Sequence, residues 1–453
     1  MPTTLSKQTT SEEEEIAAQK IRDEQIWYLM IHGFLNVSVL CTTISSEIQH
    51  FNMLFNGDVP KAATYLAYAS GLGGLIEFFV NPTIGKLTDS YGRKKFMLVG
   101  PTASFIFNGL CFLFPKVLPI VMFNRAVTVC CITISGSVTG SAMVADIYEG
   151  RPTKELASGI AKYFSSFGLG VVFGPIWGSL FFSIFNQTSY VYLGRSLLGL
   201  FELCHDSIRL QESLPIAKRI PFDGKLVNPF RFLELLSSKI PKTLRKLVIA
   251  IGLISTTEGK NTNNIYQQWM RTDVNLSDFV ATVMTTLMGG AMYFAGPTCR
   301  YLVGNITGER GYTRSSLTVT ILGYLIWSQF PNFAGLLLGF ALYWPCANAT
   351  SNTVLKAQAM KHATAFGYGK GAFSGLSMNL RALTMIVTPL IAGNVYASLL
   401  KNKRNPSLVW LVYALSGAII PLLIHESISD EEMENPQKGG YKEMIEEGKK
   451  KSS

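Results

Sequence analysis

Apolar runs of helical length alternate along this chain with short polar connections. A helix that crosses the hydrocarbon core of a bilayer needs about 20 largely apolar residues. Runs of that size fall at 26–46, 62–84, 96–114, 118–142, 158–184 and 189–209, and again at 244–268, 277–300, 315–330, 333–356, 369–399 and 407–425. They predict an all-α membrane protein with twelve transmembrane helices. Two of the runs are polar for that role. The sixth holds Arg195, Glu202, His205 and Asp206 and reads as partly interfacial; the seventh holds Glu258, Lys260 and several Asn and Thr.

The runs form two sets of six, and the chain repeats itself at that spacing. Glu212 in QESLP and Glu426 in HESIS are offset by 214 positions, Pro175 in FGPIWG and Pro389 in VTPLIAG by 214, and Pro82 and Pro297 by 215. Equal offsets in helix-sized register predict a duplicated six-helix unit, hence two pseudo-symmetric bundles with a solute path between them. The expected organisation is a cytosolic disordered tail over 1–25, a six-helix bundle over 26–210, a cytoplasmic linker over 211–243, a second bundle over 244–428, and a second disordered cytosolic tail over 429–453. Glu12 to Glu15 make the start acidic, unlike a secretory signal. Within the basic linker region, Pro229 to Leu236 reads as a short amphipathic helix on the membrane surface.

Composition narrows the class. Charged residues are 15% of the 453 positions, against about 25% in a soluble domain. The net charge of +10 does not form a stripe that would suit nucleic acid. It sits in the short loops, as positive-inside topology requires. Lys86, Arg93, Lys94, Lys95, Arg151, Lys154, Arg310 and Arg314 fall in loops expected on the cytoplasmic side, and both termini are expected there too. Lys61, Lys116 and Arg271 fall in loops expected outside, as do the sequons at Asn186 and Asn275; Lys401, Lys403 and Arg404 are an exception in the last outer loop. The seven cysteines show no metal-ligand or disulfide spacing. No P-loop, G-x-S-x-G or H-E-x-x-H is present. These absences predict no enzyme, no cofactor and no metal site.

The most specific local pattern is GKLTDSYGRKK, Gly85 to Lys95, between the second and third runs. Gly85 and Gly92 read as turn glycines, and Arg93, Lys94 and Lys95 hold the turn inside, with Asp89 among them. The spacing of Gly85, Leu87, Asp89, Gly92, Arg93 and Lys94 resembles the loop signature of the major facilitator superfamily. A second stretch, GLGVVFGPIWG, places Gly170, Gly174 and Gly178 on one helix face beside Pro175. It is similar to the antiporter-associated motif of that superfamily, with Ser179 in place of the usual final glycine. A third, SAMVADIYEGRPTKELASG, resembles the end of the fourth span in tetracycline-efflux-like drug/proton antiporters. Asp146 within it is expected to pair with Arg93 or Lys94 and close an inward gate.

The resemblance implies two six-helix halves rocking around a central site. It also implies a coupling role for Arg125 in the fourth run, although Val129 and Cys130 stand where the family has glycine. A charge inside a span is a functional candidate by default. Tetracycline exporters carry an acid within the first span, whereas this chain has none until Glu47. Glu77 and Glu258 are therefore the expected proton carriers; the alternative for Glu258 is an ion pair with Lys260 or with Arg381. Asn36, Asn348, Asn379 and Arg381 are the expected substrate contacts, and Arg381 favours an anionic group. His32 reads as a helix-packing histidine. The expected function is proton-coupled export of a small organic solute. The alternatives are a sugar or organic-anion uniporter or symporter, and a membrane sensor or scaffold that moves nothing. The expected partners are the solute, protons and the lipid bilayer. The chain is expected to be a monomeric multi-pass membrane protein; the substrate and the membrane are not legible.

Overall fold

The computed structural model describes residues 3–44, 46–149, 153–222, 224–343, 348–368 and 370–434. Every regular element among them is helical. In the first half these are α1 (Thr3–Thr42), α2 (Glu47–Leu54), α3 (Val59–Tyr91), α4 (Lys94–Met97), α5 (Val99–Leu113), α6 (Leu118–Thr133), α7 (Ser141–Ile147), α8 (Thr153–Phe185) and α9 (Thr188–Arg209). In the second half they are α10 (Lys242–Ile254), α11 (Gly259–Thr272), α12 (Asp278–Leu302), α13 (Gly308–Gln329), α14 (Phe333–Tyr343), α15 (Asn348–Ala365), α16 (Lys370–Lys401), α17 (Val409–Ala414), α18 (Ile420–Glu426) and α19 (Asp430–Glu434).

Each of the twelve predicted spans has its rod. Several rods are composite: α4 with α5, α6 with α7 through a π-helical stretch Ile134–Gly140, α10 with α11, and α17 with α18 through a second π-helical stretch Leu415–Ile419. Among the described residues, seven helical stretches are long and apolar enough to cross a bilayer by themselves, among them Val59–Tyr91, Lys162–Phe185 and Leu376–Lys401. The remaining helices are shorter or more polar in composition. The sixth rod is the clearest case. Its Arg195, Glu202 and Asp206 are wholly buried, so its polar face points into protein and the interfacial expectation does not hold.

The ends also differ from the sequence reading. α1 begins at Thr3, inside the segment expected to be a disordered tail. Its first turns are rich in Glu, Gln, Ala and Lys, all strong helix formers. The short helix α19 occupies the start of the other expected tail; residues 435–453 of that tail lie outside the described residues.

The chain divides into two compact units that do not follow the linker. One comprises residues 1–43, 83–115 and 128–225; the other comprises 44–82, 116–127 and 226–453. In the first, α1 and α8 run backbone against backbone. A methyl on Gly174 would lie 2.6 Å from the Ser38 carbonyl oxygen, and one on Gly178 would collide with the Thr42 carbonyl. Only glycine fits at such distances, which explains the fourfold spacing of Gly170, Gly174 and Gly178. Pro175 lies inside α8 without ending it.

The second unit has two apolar centres. One is aromatic: Trp269, Trp327 and Trp410 pack with Tyr324, which stacks on Trp410 at 5.7 Å between ring centroids. The Trp269 indole N–H donates to Ser407 Oγ at 2.8 Å, so the buried ring keeps its polar handle satisfied. The other is aliphatic and gathers Leu244, Leu247, Ile251, Leu355 and Phe373. The segment Pro229–Leu236 joins it. It is a 3-10 helix started by the Asn228 side chain, which accepts from the Phe230 N–H. Its Phe232 and Leu235 are buried against Phe78 and Leu244, while Phe230 and Leu233 on the same segment stay exposed.

Candidate functional site

The seventh rod is broken near its middle. α10 ends at Ile254, Ser255–Thr257 form a 3-10 turn, and Glu258 is extended (φ −63°, ψ 149°) before α11 restarts at Gly259. Polar residues make the break tolerable. The hydroxyls of Ser255, Thr256 and Thr257 donate back to the carbonyls of Ile251, Leu253 and Ile254 at 3.0, 2.7 and 2.7 Å. The Glu258 carbonyl accepts the N–H of Asn261 at 2.8 Å and of Thr262 at 3.1 Å. Interrupted spans are where transporters place their sites, because the freed backbone and side-chain groups must then face protein or ligand.

An ion pair sits at this break, with two further charges within electrostatic reach of it. The Glu258 carboxylate accepts from Arg381 Nε on α16, from Asn352 Nδ2 at 2.7 Å and from Ser255 Oγ at 3.2 Å. Glu77, buried on α3, acts on the Arg381 charge, and Lys356 acts on Glu258. Two acids against two bases leave the cluster neutral when all are ionised. Burying charges in such a place is costly unless each has its partner. One turn along α11 a small recess opens, lined by Asn261, Asn264, Gln268, Ala63, Ala67 and Gly393.

Arg125 belongs to the same unit. Its Nη1 donates to Glu47 Oε2 at 2.6 Å and its Nη2 to Asn264 Oδ1 at 3.1 Å; Asn264 in turn donates to Ser70 Oγ at 2.8 Å. This arginine is buried and paired, and does not reach away to an interface. Further along α11, Asp273 follows the last helical turn. Its carboxylate accepts from Thr272 Oγ1 at 3.2 Å, and Tyr396 Oη lies 3.4 Å away. Burial pushes this acid up to about 6, and the two hydroxyls only partly offset that.

The loop expected as a gate lies in the other unit. Gly85 to Tyr91 is the last part of α3, and nothing crowds Gly85, so the turn reading of that glycine is corrected. The turn is Gly92 alone, at φ +95°, with Glu212 and Arg219 pressed against it. A side chain there would be strained and would strike Glu212. Glu212 accepts the backbone N–H of Arg93 at 2.8 Å and of Lys94 at 3.3 Å, at the start of α4. The Arg93 guanidinium spans Asp89 at 2.6 Å, Thr88 at 2.7 Å and Asp146 at 3.2 Å. Of the two expected partners for Asp146, Arg93 is the one in place; Lys94 Nζ donates to the Ser207 carbonyl at 2.8 Å.

The expected sites are thus distributed unevenly. Glu258 and Arg381 pair, and Glu77 is near enough to act on the Arg381 charge. Asn379 does not join them, since its amide donates to the Pro229 carbonyl at 3.0 Å. Asn36 sits in the other unit, donating to Ser135 Oγ at 2.9 Å and Glu202 Oε1 at 3.1 Å. The Asn348 side chain lies outside the described residues. Sequence reasoning took Asn352 for a cavity-facing substrate contact, and missed Lys356, Glu47 and Asn264 as partners and Glu202 with Asp206 as a buried pair. Two acids spaced four apart in a membrane-length run were the available signal for the last.

A rod-only architecture of twelve spans, a charged break in one of them and an arginine-held turn after the second define a polytopic transporter. The chain belongs to the Major Facilitator Superfamily, whose sequence profile matches residues 26–389. It is accordingly an integral multi-pass membrane transporter and not an enzyme. It is 26% identical over 226 residues to hippocampus abundant transcript-like protein 1 of Homo sapiens, a match covering 48% of this chain and 40% of that protein. The chain therefore spans less than half of that relative's length. It is 24% identical over 369 residues to the class C tetracycline resistance protein of Escherichia coli, covering 78% of this chain and 84% of that protein. In fold it resembles the human organic anion transporter MFSD10 (TM-score 0.63, 18% identity, 89% of this chain and 99% of that one). It also resembles a D-xylose–proton symporter (TM-score 0.68, 12% identity, 88% of this chain and 96% of that one).

Proposed function

We propose that this chain moves a small organic solute across its membrane by alternating access, as a proton-coupled exporter with both termini in the cytoplasm. The reading has two bundles, 26–210 and 244–428, rocking about a site built at the break in the seventh span. The observation that carries it is the neutral cluster of Glu258, Arg381, Glu77 and Lys356 at that break. A neutral set of buried charges is a poor resting place for an extra charge but a good switch. Protonating Glu258 frees Arg381, which then offers its guanidinium to an anionic group of the solute; losing the proton restores the ion pair and expels the solute. Arg93 and Asp146 form the inner gate, a contact made in one state and broken in the other.

Likeness to a tetracycline resistance protein favours export and proton exchange, and Arg381 favours an anionic solute. The test uses proteoliposomes with an imposed pH gradient and a panel of tetracycline, organic anions and D-xylose. Flux that follows the gradient and stops in Glu258→Gln supports the reading. Flux indifferent to the gradient replaces it with a uniporter. Binding of a panel member with no flux replaces it with a sensor.

A further inference from the structure

The first unit holds a second buried cluster that the site above does not use. His32 on α1 and Glu202 and Asp206 on α9 offer ligand atoms that all lie within 4.8 Å of one another. His32 Nδ1 is 2.7 Å from Asp206 Oδ2 and 3.4 Å from Glu202 Oε1, and none of the three side chains is exposed at all. Asn36 donates to Glu202 Oε1, whereas Glu202 Oε2 and His32 Nε2 are buried with no hydrogen-bond partner. Two acids one helical turn apart repel, and neither meets a lysine or arginine among the described residues. The other titratable groups facing them are His205 on α9, whose Nδ1 is 3.0 Å from Asp206 Oδ1, and Tyr163 on α8, whose hydroxyl donates to the Gly136 carbonyl at 2.8 Å. Tyr28 on α1 packs edge-on against His205 at 6.1 Å between ring centroids.

We propose that His32, Glu202 and Asp206 form a proton-binding site within the first unit, with the unpartnered Glu202 oxygen as the atom that takes and releases the proton. Two carboxylates facing the single imidazole of His32 leave an excess of negative charge in the cluster. Adding a proton forms an O–H bond on Glu202 Oε2 and lowers that charge by one; removing it restores the charge, with no electron transfer. Desolvated carboxylates avoid bare charge by holding a proton. A divalent metal fits less well, because two ligands of a tetrahedral ion stand about 3.3 Å apart, whereas His32 and Asp206 are already at hydrogen-bond length. The inference deepens the proton-coupled reading and rests on it for the use made of the proton, not for the site itself.

Infrared difference spectroscopy of the full-length purified protein, titrated on both sides of neutral pH, reads the protonated-carboxyl stretch directly. In an Asp273→Asn background, which removes the acid that titrates at about 6, the expected result is a band lost as pH rises, absent in Glu202→Gln, displaced to another pH in His32→Gln and kept in Glu258→Gln. A wild-type protein with no titrating band overturns the site, as does a band undiminished in Glu202→Gln. Where Glu202→Gln does not fold, Asp206→Asn in the same background decides: a band moved to another pH supports the site, and a band that stays where it was overturns it. A rise in Tm with Zn2+ or Mn2+ that Glu202→Gln abolishes overturns the proton in favour of a metal. The two proposals fail separately. Gradient-independent flux with the band intact sinks proton-coupled export and supports the site, whereas coupled flux in a protein whose Glu202 shows no band sinks the site alone.

Discussion

Arg125 and Glu47 lie 2.6 Å apart, nitrogen to oxygen, with both side chains nearly closed off from solvent. The acid stands in the first turn of α2, and the base stands in the fourth rod. Each is the reason the other can be ionised there. Removing one partner of such a pair typically costs about 3–5 kcal/mol, because the survivor is left charged and unpaired. Arg125→Met is therefore expected to lower the unfolding temperature of the purified protein sharply, and Arg125→Met with Glu47→Gln to recover most of the loss. Equal losses in the single and the double variant would show that the pair contributes nothing as a pair.

The break at Glu258 makes the same kind of prediction with a functional readout. Arg381→Gln leaves Glu258 facing only Asn352, Ser255 and the more distant Lys356. It is expected to abolish flux in proteoliposomes and to destabilise by a few kcal/mol. The double variant Glu258→Gln, Arg381→Gln is expected to regain stability, read by thermal unfolding, while flux stays absent. Recovery of flux in the double variant would place the solute path elsewhere.

Much of this was legible in the chain. Twelve rods follow from run length and apolarity, which need no knowledge of partners. Asp146 with Arg93, and Glu258 with Arg381, were readable because charged residues in or beside spans have few places to go. The break at Glu258 was visible only as polarity in the seventh run, since a sequence does not say whether polar residues interrupt a helix or line it. The sixth run was misread for a related reason. Its acids looked interfacial, but their partner His32 stands 174 positions away, beyond any local pattern. Glu212 was noticed as a repeat mark, and its task of holding the turn at Gly92 depends on a fold-level contact 119 positions back.

Crowding at α8 gives a test of packing alone. Gly178→Ala places a methyl on the Thr42 carbonyl, which is backbone and cannot swing aside. Overpacking of this kind costs about 1–3 kcal/mol or more, read as a lower Tm. Gly85→Ala is the matched control: nothing lies near it and alanine is the better helix former, so Tm is expected to hold or rise slightly.

Asp273 predicts a pH dependence. Its folded value of about 6 lies above the ordinary carboxylate value of about 3.9, so the folded state holds this proton more tightly than the unfolded state does. Its contribution to stability is then fully present below the ordinary value and is lost as pH rises through about 6. In Asp273→Asn that loss is absent. The Tm of the variant relative to wild type is expected to climb between those two pH values and level off above them. A difference that does not change with pH would show that the acid titrates normally.

The closeness of Gly170, Gly174 and Gly178 to the backbone of α1 has a mechanical corollary. Two rods that touch main chain to main chain along three successive turns cannot slide or tilt independently. They behave as a single strut, and whatever stroke the protein makes must be taken up elsewhere along the chain. A covalent staple between the first and fifth spans should therefore leave the working cycle intact.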